Sequence, residues 1–466
     1  MNRLAALIVI AALAALATPA AAWEPETTHA GLAEQAALAS RLHKRLITLG
    51  FTGGLFEQLT IPPADAPALT AAIKLLSPTH GAVPDARGRQ VAMSWLAAGA
   101  ALADVPAANG ANHFYDPSTR HGWEAPDRGV LAGASDRIRE ALGRAALPAR
   151  GVAAPDWVID KTNPFNLESF LGQYAKAATA KTAGERSRHM AAALIAAGAI
   201  MHTLGDLGAP SRVRGDELSH LEPMGAGPDD LGSRFERIAA LAHGRLGVGT
   251  PTRVITRERL REFFTGSGTG PTKDGEGLAD LIARSYFSPH TLPSATRVGA
   301  ETRPKLARPQ PALPARLNLM AATRDDGTTL RNASGTCLAR YKVEHGVLSF
   351  WIDDDCMLEE VAAILPEVAS YEAGLLDFLL RGDLTINVGD GVVVSGTGFG
   401  AGTIEVLVED DRGVRTSLGA AQVAGGKDEL IRVPAPASGT RVVAVYRGVD
   451  SAGEPVVAVG AMPLSR

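Results

Sequence analysis

The chain has 466 residues, 46 Lys and Arg against 50 Asp and Glu, and a formal net charge of −4. That balance excludes a global basic field, so long-range attraction to nucleic acid or an anionic membrane is unsupported, although a local patch is compatible with it. At 46% hydrophobic residues the chain can bury a large core, and it is too long for one typical domain.

Residues 1–22, MNRLAALIVIAALAALATPAAA, carry one cation at Arg3, then an apolar run, and close on Ala20-Ala21-Ala22. That is the pattern a signal peptidase reads, so the expected protein is secreted or periplasmic and begins at Trp23. No cysteine stands at the cleavage point and no lipid anchor is indicated there. Cleavage frees the α-amino group of Trp23, whose ordinary pKa of about 7.7–8 lets a divalent metal displace its proton. Thr28-His29 follows closely.

Periodicity and breakers predict helices over 30–49, 63–76, 89–102, 135–146, 167–182 and from about 183 through His202. The stretch 190–201 is apolar but too short to span a bilayer. The helix ending near 102 delivers Asp104, and His113-Phe114-Tyr115-Asp116-Pro117 follows in a turn-rich segment. His202 and Asp206, four residues apart, project from one helix face and can present an imidazole and a carboxylate to one cation or to two neighbours. Nitrogen and carboxylate donors without thiolates suit zinc with positions left open for water, as in catalytic sites. A loop over 225–230 precedes a helix carrying Glu236, with further helices predicted over 257–265 and 277–286. The Pro-rich, basic segment 303–316 reads as an extended linker.

The chain has two cysteines, Cys337 and Cys356, which flank two strand-like runs around Glu344-His345-Gly346. A disulfide tying the outer ends of that hairpin fits an exported protein and contributes about 3 kcal/mol in the chain-entropy model. Residues 358–380 read as a helix ending at Arg381-Gly382. From Asp383 the pattern changes to short alternating runs over 384–388, 391–395, 404–409, 429–433 and 440–447, separated by Gly and Asp turns. This is the pattern of a small β-sandwich, similar to immunoglobulin-like modules. Gly396–Gly402 is not a phosphate loop, because no Gly-Lys-Ser/Thr follows it. Asp410, Asp411 and Asp450 read as solvated turn acids.

In this order, Trp23 behind a signal, Thr28-His29, Asp104, His113-Phe114-Tyr115-Asp116-Pro117 and His202-x-Leu204-Gly205-Asp206-x-x-x-Pro210 resemble the zinc-dependent phospholipase C family. That family shares its fold with the zinc-dependent single-strand nucleases of fungi and plants. The likeness covers roughly residues 23–292 and implies a mainly helical domain with a cluster of three zinc ions at the base of a cleft. Carried over by residue, it places one ion on Trp23 (amine and carbonyl), His29 and Asp206. A second falls on Asp104, His113, His202 and the bridging Asp206. Asp104 doubles as the group that orients or deprotonates the attacking water, and Asp116 as a partner for a histidine ring nitrogen.

The third site departs from the family pattern. Where two histidines and a glutamate are expected, this chain has Arg212, His220 and Glu236. Arginine has no acceptor lone pair and cannot ligate zinc. Two ions are therefore expected, with the third weak or absent. Arg212 then either replaces the missing charge and clamps a phosphate, or is a surface arginine paired with Asp216 or Glu217.

The expected fold class is thus mainly α: a phospholipase C/nuclease-like helical domain followed by a small immunoglobulin-like β-sandwich. The expected organisation is a signal at 1–22, a zinc-dependent catalytic domain over 23–300, then a linker, cysteine-bearing hairpin and helix packing on it over 301–382, and the sandwich over 383–466. The expected function is a secreted zinc-dependent phosphoester hydrolase cleaving phospholipid head groups, with phospholipid and a membrane surface as partners and no obligate protein partner. Two alternatives stay open: a single-strand nuclease or nucleotidase acting on nucleic acid, and a catalytically weak lipid- or partner-binding protein. Aromatics, which would stack bases, are 5% of the chain.

Overall fold

In the computed structural model the described residues are 28–61, 85, 87–105, 107–126, 148–223, 231–247, 249–266, 276–298, 311, 317–324, 326–426 and 428–464. The signal segment, Trp23, the helices expected over 63–76 and 135–146, the loop 225–230 and all but one residue of the linker 303–316 lie outside them.

The helix expected over 30–49 is two helices, α1 (Ala30–Ala39) and α2 (Leu42–Leu49). Ser40 turns to extended backbone, and its hydroxyl accepts from the Leu42 amide, so one helix ends and the next begins on the same side chain. Strands β1 (Gln58–Thr60) and β2 (Arg89–Val91) pair antiparallel, and β2 leads directly into α3 (Ala92–Leu102). After a single turn at Ala154–Trp157 come α4 (Leu167–Thr179) and the central α5 (Ala183–Gly205).

The start of α5 is fixed by a capping box: the Thr182 hydroxyl accepts from the Glu185 amide while the Glu185 carboxylate accepts from the Thr182 amide. From Met190 onward nearly every residue of α5 is buried. By length and composition this helix could cross a membrane, but 94% of its apolar window is covered by the protein itself. Its crossing with α3 is closer than any side chain permits. A Cβ on Gly198 would lie 2.0 Å from the Leu96 carbonyl, and one on Gly99 2.0 Å from the Ile195 carbonyl. The two backbones therefore touch, and their C-terminal ends emerge side by side.

Short strands β3 (Glu222–Pro223) and β4 (Leu231–Gly232) pair before α6 (Arg234–Leu246), and α7 (Leu278–Ser285) follows. The helix expected over 257–265 is reduced to Arg261–Phe264. The expected hairpin is part of a four-stranded antiparallel sheet of β5 (Thr296–Arg297), β6 (Thr328–Arg331), β7 (Cys337–Glu344) and β8 (Val347–Trp351), in the order β5-β8-β7-β6. His345 and Gly346 make the β7–β8 turn with positive φ. The long helix α8 (Asp354–Leu379) packs on α1, α5 and α6. Cys337 and Cys356 form the disulfide, but Cys356 belongs to the first turn of α8, so the bond ties the sheet to that helix.

Seven strands complete the chain: β9 (Thr385–Val388), β10 (Gly391–Ser395), β11 (Phe399–Glu409), β12 (Arg415–Val423), β13 (Glu429–Pro434), β14 (Arg441–Asp450) and β15 (Pro455–Pro463). They form sheets β13-β10-β9 and β12-β11-β14-β15, which close on a core that includes Val392, Val406, Val442 and Tyr446. The sandwich docks on the helices through Arg415, which is 3% exposed. Its guanidinium donates to the carbonyls of Leu49 and Ala178, capping the C-terminal ends of α2 and α4, and pairs with Glu409. Asp410 and Asp450 are turn-builders, each accepting amides two and four residues on.

The expectation of a mainly α protein is overturned. The described residues are 41% helical and 25% strand, and their strands form five sheets. The strands missed from the sequence include β12 (RTSLGAAQV), which is Gly- and Ala-rich, and the whole of β15 (PVVAVGAMP), which carries Val456, Val457 and Val459. The weak local β-propensity of β12 is overridden by its pairing with β11, and β15 is an edge strand paired with β14.

Candidate metal centre

The ends of α3 and α5, held together by the glycine crossing, bring four ligand groups to one point. Asp104, His113, His202 and Asp206 each offer a donor atom, all within 4.8 Å of one another, and all four residues are buried. His202 and Asp206 lie one turn apart across the end of α5, where the chain tightens into the helical turn Asp206–Gly208. His113 comes from the turn Ala107–His113.

Asp206 is the hub. Its Oδ2 lies 2.7 Å from His113 Nδ1 and 3.2 Å from His202 Nε2, and its Oδ1 lies 3.1 Å from His29 Nε2. Asp104 completes the ring, 3.3 Å from His113 Nδ1 and 3.4 Å from His202 Nε2. His29 stacks on His202 with centroids 3.6 Å apart. Thus five of the predicted ligands converge in the described residues, and Trp23 lies outside them.

The electrostatics are those of acids and imidazoles crowded away from water. Burial, then the neighbouring His202, lowers the His29 pKa to about 4. Burial also works to lower that of His202, but the facing Asp206 and Asp104 carboxylates outweigh it and raise the value to about 10. Burial opposes ionisation of Asp206, yet Arg212 and His202 hold its carboxyl well below the ordinary range. Both oxygens of Asp104, both ring nitrogens of His202 and Nε2 of His113 are buried without a hydrogen-bond partner. Buried polar atoms normally find partners, so this set of unpaired donors, all nitrogen or carboxylate, fits a divalent cation of the zinc type.

Beyond Asp206 the structure corrects the surface reading of Arg212. The residue is 2% exposed, and its Nε donates to Glu236 Oε1 at 2.9 Å rather than to Asp216 or Glu217. Its Nη1 donates to the Gly110 carbonyl at 3.3 Å and lies 3.6 Å from Asp206 Oδ2, and its Cζ lies 4.6 Å from the centre of the Phe114 ring. His220 Nδ1 sits 3.7 Å from the same Glu236 oxygen. The guanidinium therefore lies between Glu236 and Asp206, its charge on the side of the centre where a third ion was expected. Burial, opposed by Arg212, raises the Glu236 pKa to about 8; burial and then Arg212 push that of His220 well down. Asp116 Oδ1 accepts from the amide and the hydroxyl of Ser118, building the turn after Pro117.

One residue escaped the sequence reading. Glu372, in α8, is 1% exposed, and burial pushes its carboxyl well above the ordinary range. A Cβ on Gly205 would lie 2.4 Å from Glu372 Oε1 and 3.4 Å from His29 Nδ1, so this acid stands against the centre. Its signal was a single acid inside the apolar run Tyr371-Glu372-Ala373-Gly374-Leu375-Leu376.

No protein-family model matches the chain, and no curated protein matches its sequence. Among solved structures the chain is similar to the alpha toxin of Clostridium absonum at 12% identity and a TM-score of 0.28, over 95% of this chain and 96% of that one. It is also similar to the alpha-toxin from an avian strain (SWCP) of Clostridium perfringens at 10% identity and a TM-score of 0.29, over 95% and 99% of the two chains. These coarse likenesses run nearly end to end, and at such identities and scores they transfer no site residue and no activity.

Proposed function

We propose that the protein is a metal-dependent phosphoester hydrolase with two divalent ions, zinc by donor chemistry, and that phospholipid head groups are its substrate. The observation that carries the reading is the buried cluster of Asp104, His113, His202 and Asp206, in which both Asp104 oxygens, both His202 ring nitrogens and His113 Nε2 have no hydrogen-bond partner, with His29 on the far oxygen of Asp206. In this reading Asp104, His113, His202 and Asp206 hold one ion, and His29, Asp206 and the N-terminus at Trp23 hold the other. Such a pair supplies a water of lowered pKa and neutralises phosphate oxygens.

The chain's own residues have separate tasks. Asp206 shares its two oxygens between the two sides of the centre. Asp104 lies within 3.4 Å of His202 and orients the water and takes its proton. Arg212, its donors engaged by Glu236 and Gly110, is assigned a fixed positive charge in place of a third ion rather than a two-pronged phosphate clamp. His220 and Glu236 then serve to hold Arg212 in place. Phospholipid is favoured over nucleic acid by the order of the sequence motifs and by the low aromatic content. An exported location, the signal at 1–22 and a four-part division at 22, 300 and 382 belong to the same proposal, and the disulfide is consistent with an oxidising compartment.

The test is metal content and turnover on one preparation. Two equivalents of zinc, chelator-sensitive release of phosphocholine from short-chain lecithin, and little cleavage of single-stranded DNA are expected. Full turnover after chelation would refute the metal reading, and preference for DNA would move the substrate to the nuclease class.

A further inference from the structure

Helix α8 brings an acid to the centre from a direction no ligand motif uses. Glu372 is flanked by buried Tyr371 and Ala373, and neither of its carboxylate oxygens has a hydrogen-bond partner. Across Gly205 stands His29, whose Nδ1 is likewise buried and unpartnered. The other ring nitrogen, Nε2, is turned to Asp206 Oδ1 at 3.1 Å. The imidazole thus presents Nε2 to the ligand cluster and leaves Nδ1 for Glu372. The absence of a side chain at Gly205 makes room for the carboxylate, since a Cβ there would come 2.4 Å from Oε1. A buried donor and a buried acceptor left apart are each costly, and pairing removes that cost.

Resting on the two-ion reading above, we propose that Glu372 is a positioning residue of the centre: its carboxylate accepts the Nδ1–H of His29 and fixes the tautomer that offers Nε2 to a divalent ion. A carboxylate in this position orients the ring and makes its free nitrogen more basic. A cation beside His29 in turn favours the charged form of Glu372. The residue lies in a helix tied by the disulfide to the sheet β5-β8-β7-β6, so the segment after residue 301 contributes to the centre as well as covering it.

The experiment is a zinc competition titration of the full chain in four forms: wild type, Glu372→Gln, Glu372→Ala and Glu360→Gln. Glu360 is a buried acid of the same helix that lines a separate small cavity with Ser211, Phe235 and Ser288. Melting of each metal-free protein monitors folding. Glu372→Ala is expected to weaken zinc binding about 10–100-fold. Glu372→Gln, whose amide oxygen can accept the same hydrogen bond, should recover most of that loss, and Glu360→Gln should bind as wild type. In the zinc-loaded wild type a slowly exchanging His29 Nδ1–H resonance is expected, and it should disappear in Glu372→Ala. If that variant fails to fold, Gly205→Ala, whose Cβ displaces the carboxylate, should show the same loss of affinity. Equal zinc affinity in wild type and a folded Glu372→Ala overturns the proposal alone. A wild-type chain that takes up no zinc overturns it together with the reading on which it rests.

Discussion

Replacing Arg212 by histidine should exchange a built-in cation for a bound one. The guanidinium lies 3.6 Å from Asp206 Oδ2, a spacing at which opposite charges attract by about 5 kcal/mol at an effective dielectric of about 20. Its contact with Glu236 counts for less as a charge pair at neutral pH, because that carboxyl, raised to about 8, is then mostly protonated. His113, His202 and His29 also face Asp206, so removing Arg212 strands its charge only in part. The expected cost in the chelated Arg212→His protein is therefore about 3–5 kcal/mol, the range for breaking one side of a buried pair. The new imidazole joins His220 and Glu236 and completes a set of three ligands. Zinc at about 100 times its dissociation constant for that site should then restore about 2.7 kcal/mol. The assay is urea unfolding with and without zinc, paired with metal analysis. One more zinc equivalent than wild type and a larger zinc-induced stabilisation are expected. A folded variant that costs under about 1 kcal/mol and keeps the wild-type metal count would refute the idea that Arg212 does the work of an ion.

Three further outcomes follow from the geometry. In the chelated protein, His202 and Glu236, raised to about 10 and about 8, contribute stability that is complete below their ordinary values and lost as pH rises through the shifted ones, whereas His29, lowered to about 4, contributes above 6.5 and loses it as pH falls. Between pH 6.5 and 10 the first two act, and the buried carboxyls of Glu360 and Glu372, also raised, act in the same direction, so the chelated melting temperature should fall across that interval, and zinc uptake at pH 7 should release the His202 proton, seen as a buffer-dependent calorimetric heat; a melting temperature that climbs over the same range contradicts the assignment. Arg415→Met leaves the Leu49 and Ala178 carbonyls uncapped and Glu409 without its close partner, and should cost about 3–5 kcal/mol, with the sandwich melting separately in calorimetry; an unchanged single transition would show that the docking is held elsewhere. Gly198→Ala puts a Cβ 2.0 Å from the Leu96 carbonyl, so α3 and α5 must separate and zinc affinity should drop along with stability; undiminished zinc affinity would break the link between that crossing and the site.

The sequence carried the ligand types and much of the local structure around them. Thr182 with Glu185 set the start of α5, helical spacing put His202 and Asp206 on one face, and Gly-Asp turns marked the C-terminal strands, because capping, periodicity and turn chemistry act over a few residues. It also exposed the departure at Arg212, since an arginine cannot ligate whatever surrounds it. Tertiary structure alone decided what Arg212 does instead: its partner Glu236 is 24 residues away and on another helix. The same holds for the glycine crossing that juxtaposes Asp104 with His202, for the sheet that added β content where a hairpin was expected, and for Glu372, which stands against Gly205 beside the centre from a helix far along the chain. Such contacts depend on which buried surfaces meet, and no local pattern records that; a lone acid in an apolar run says only that something buried must answer it.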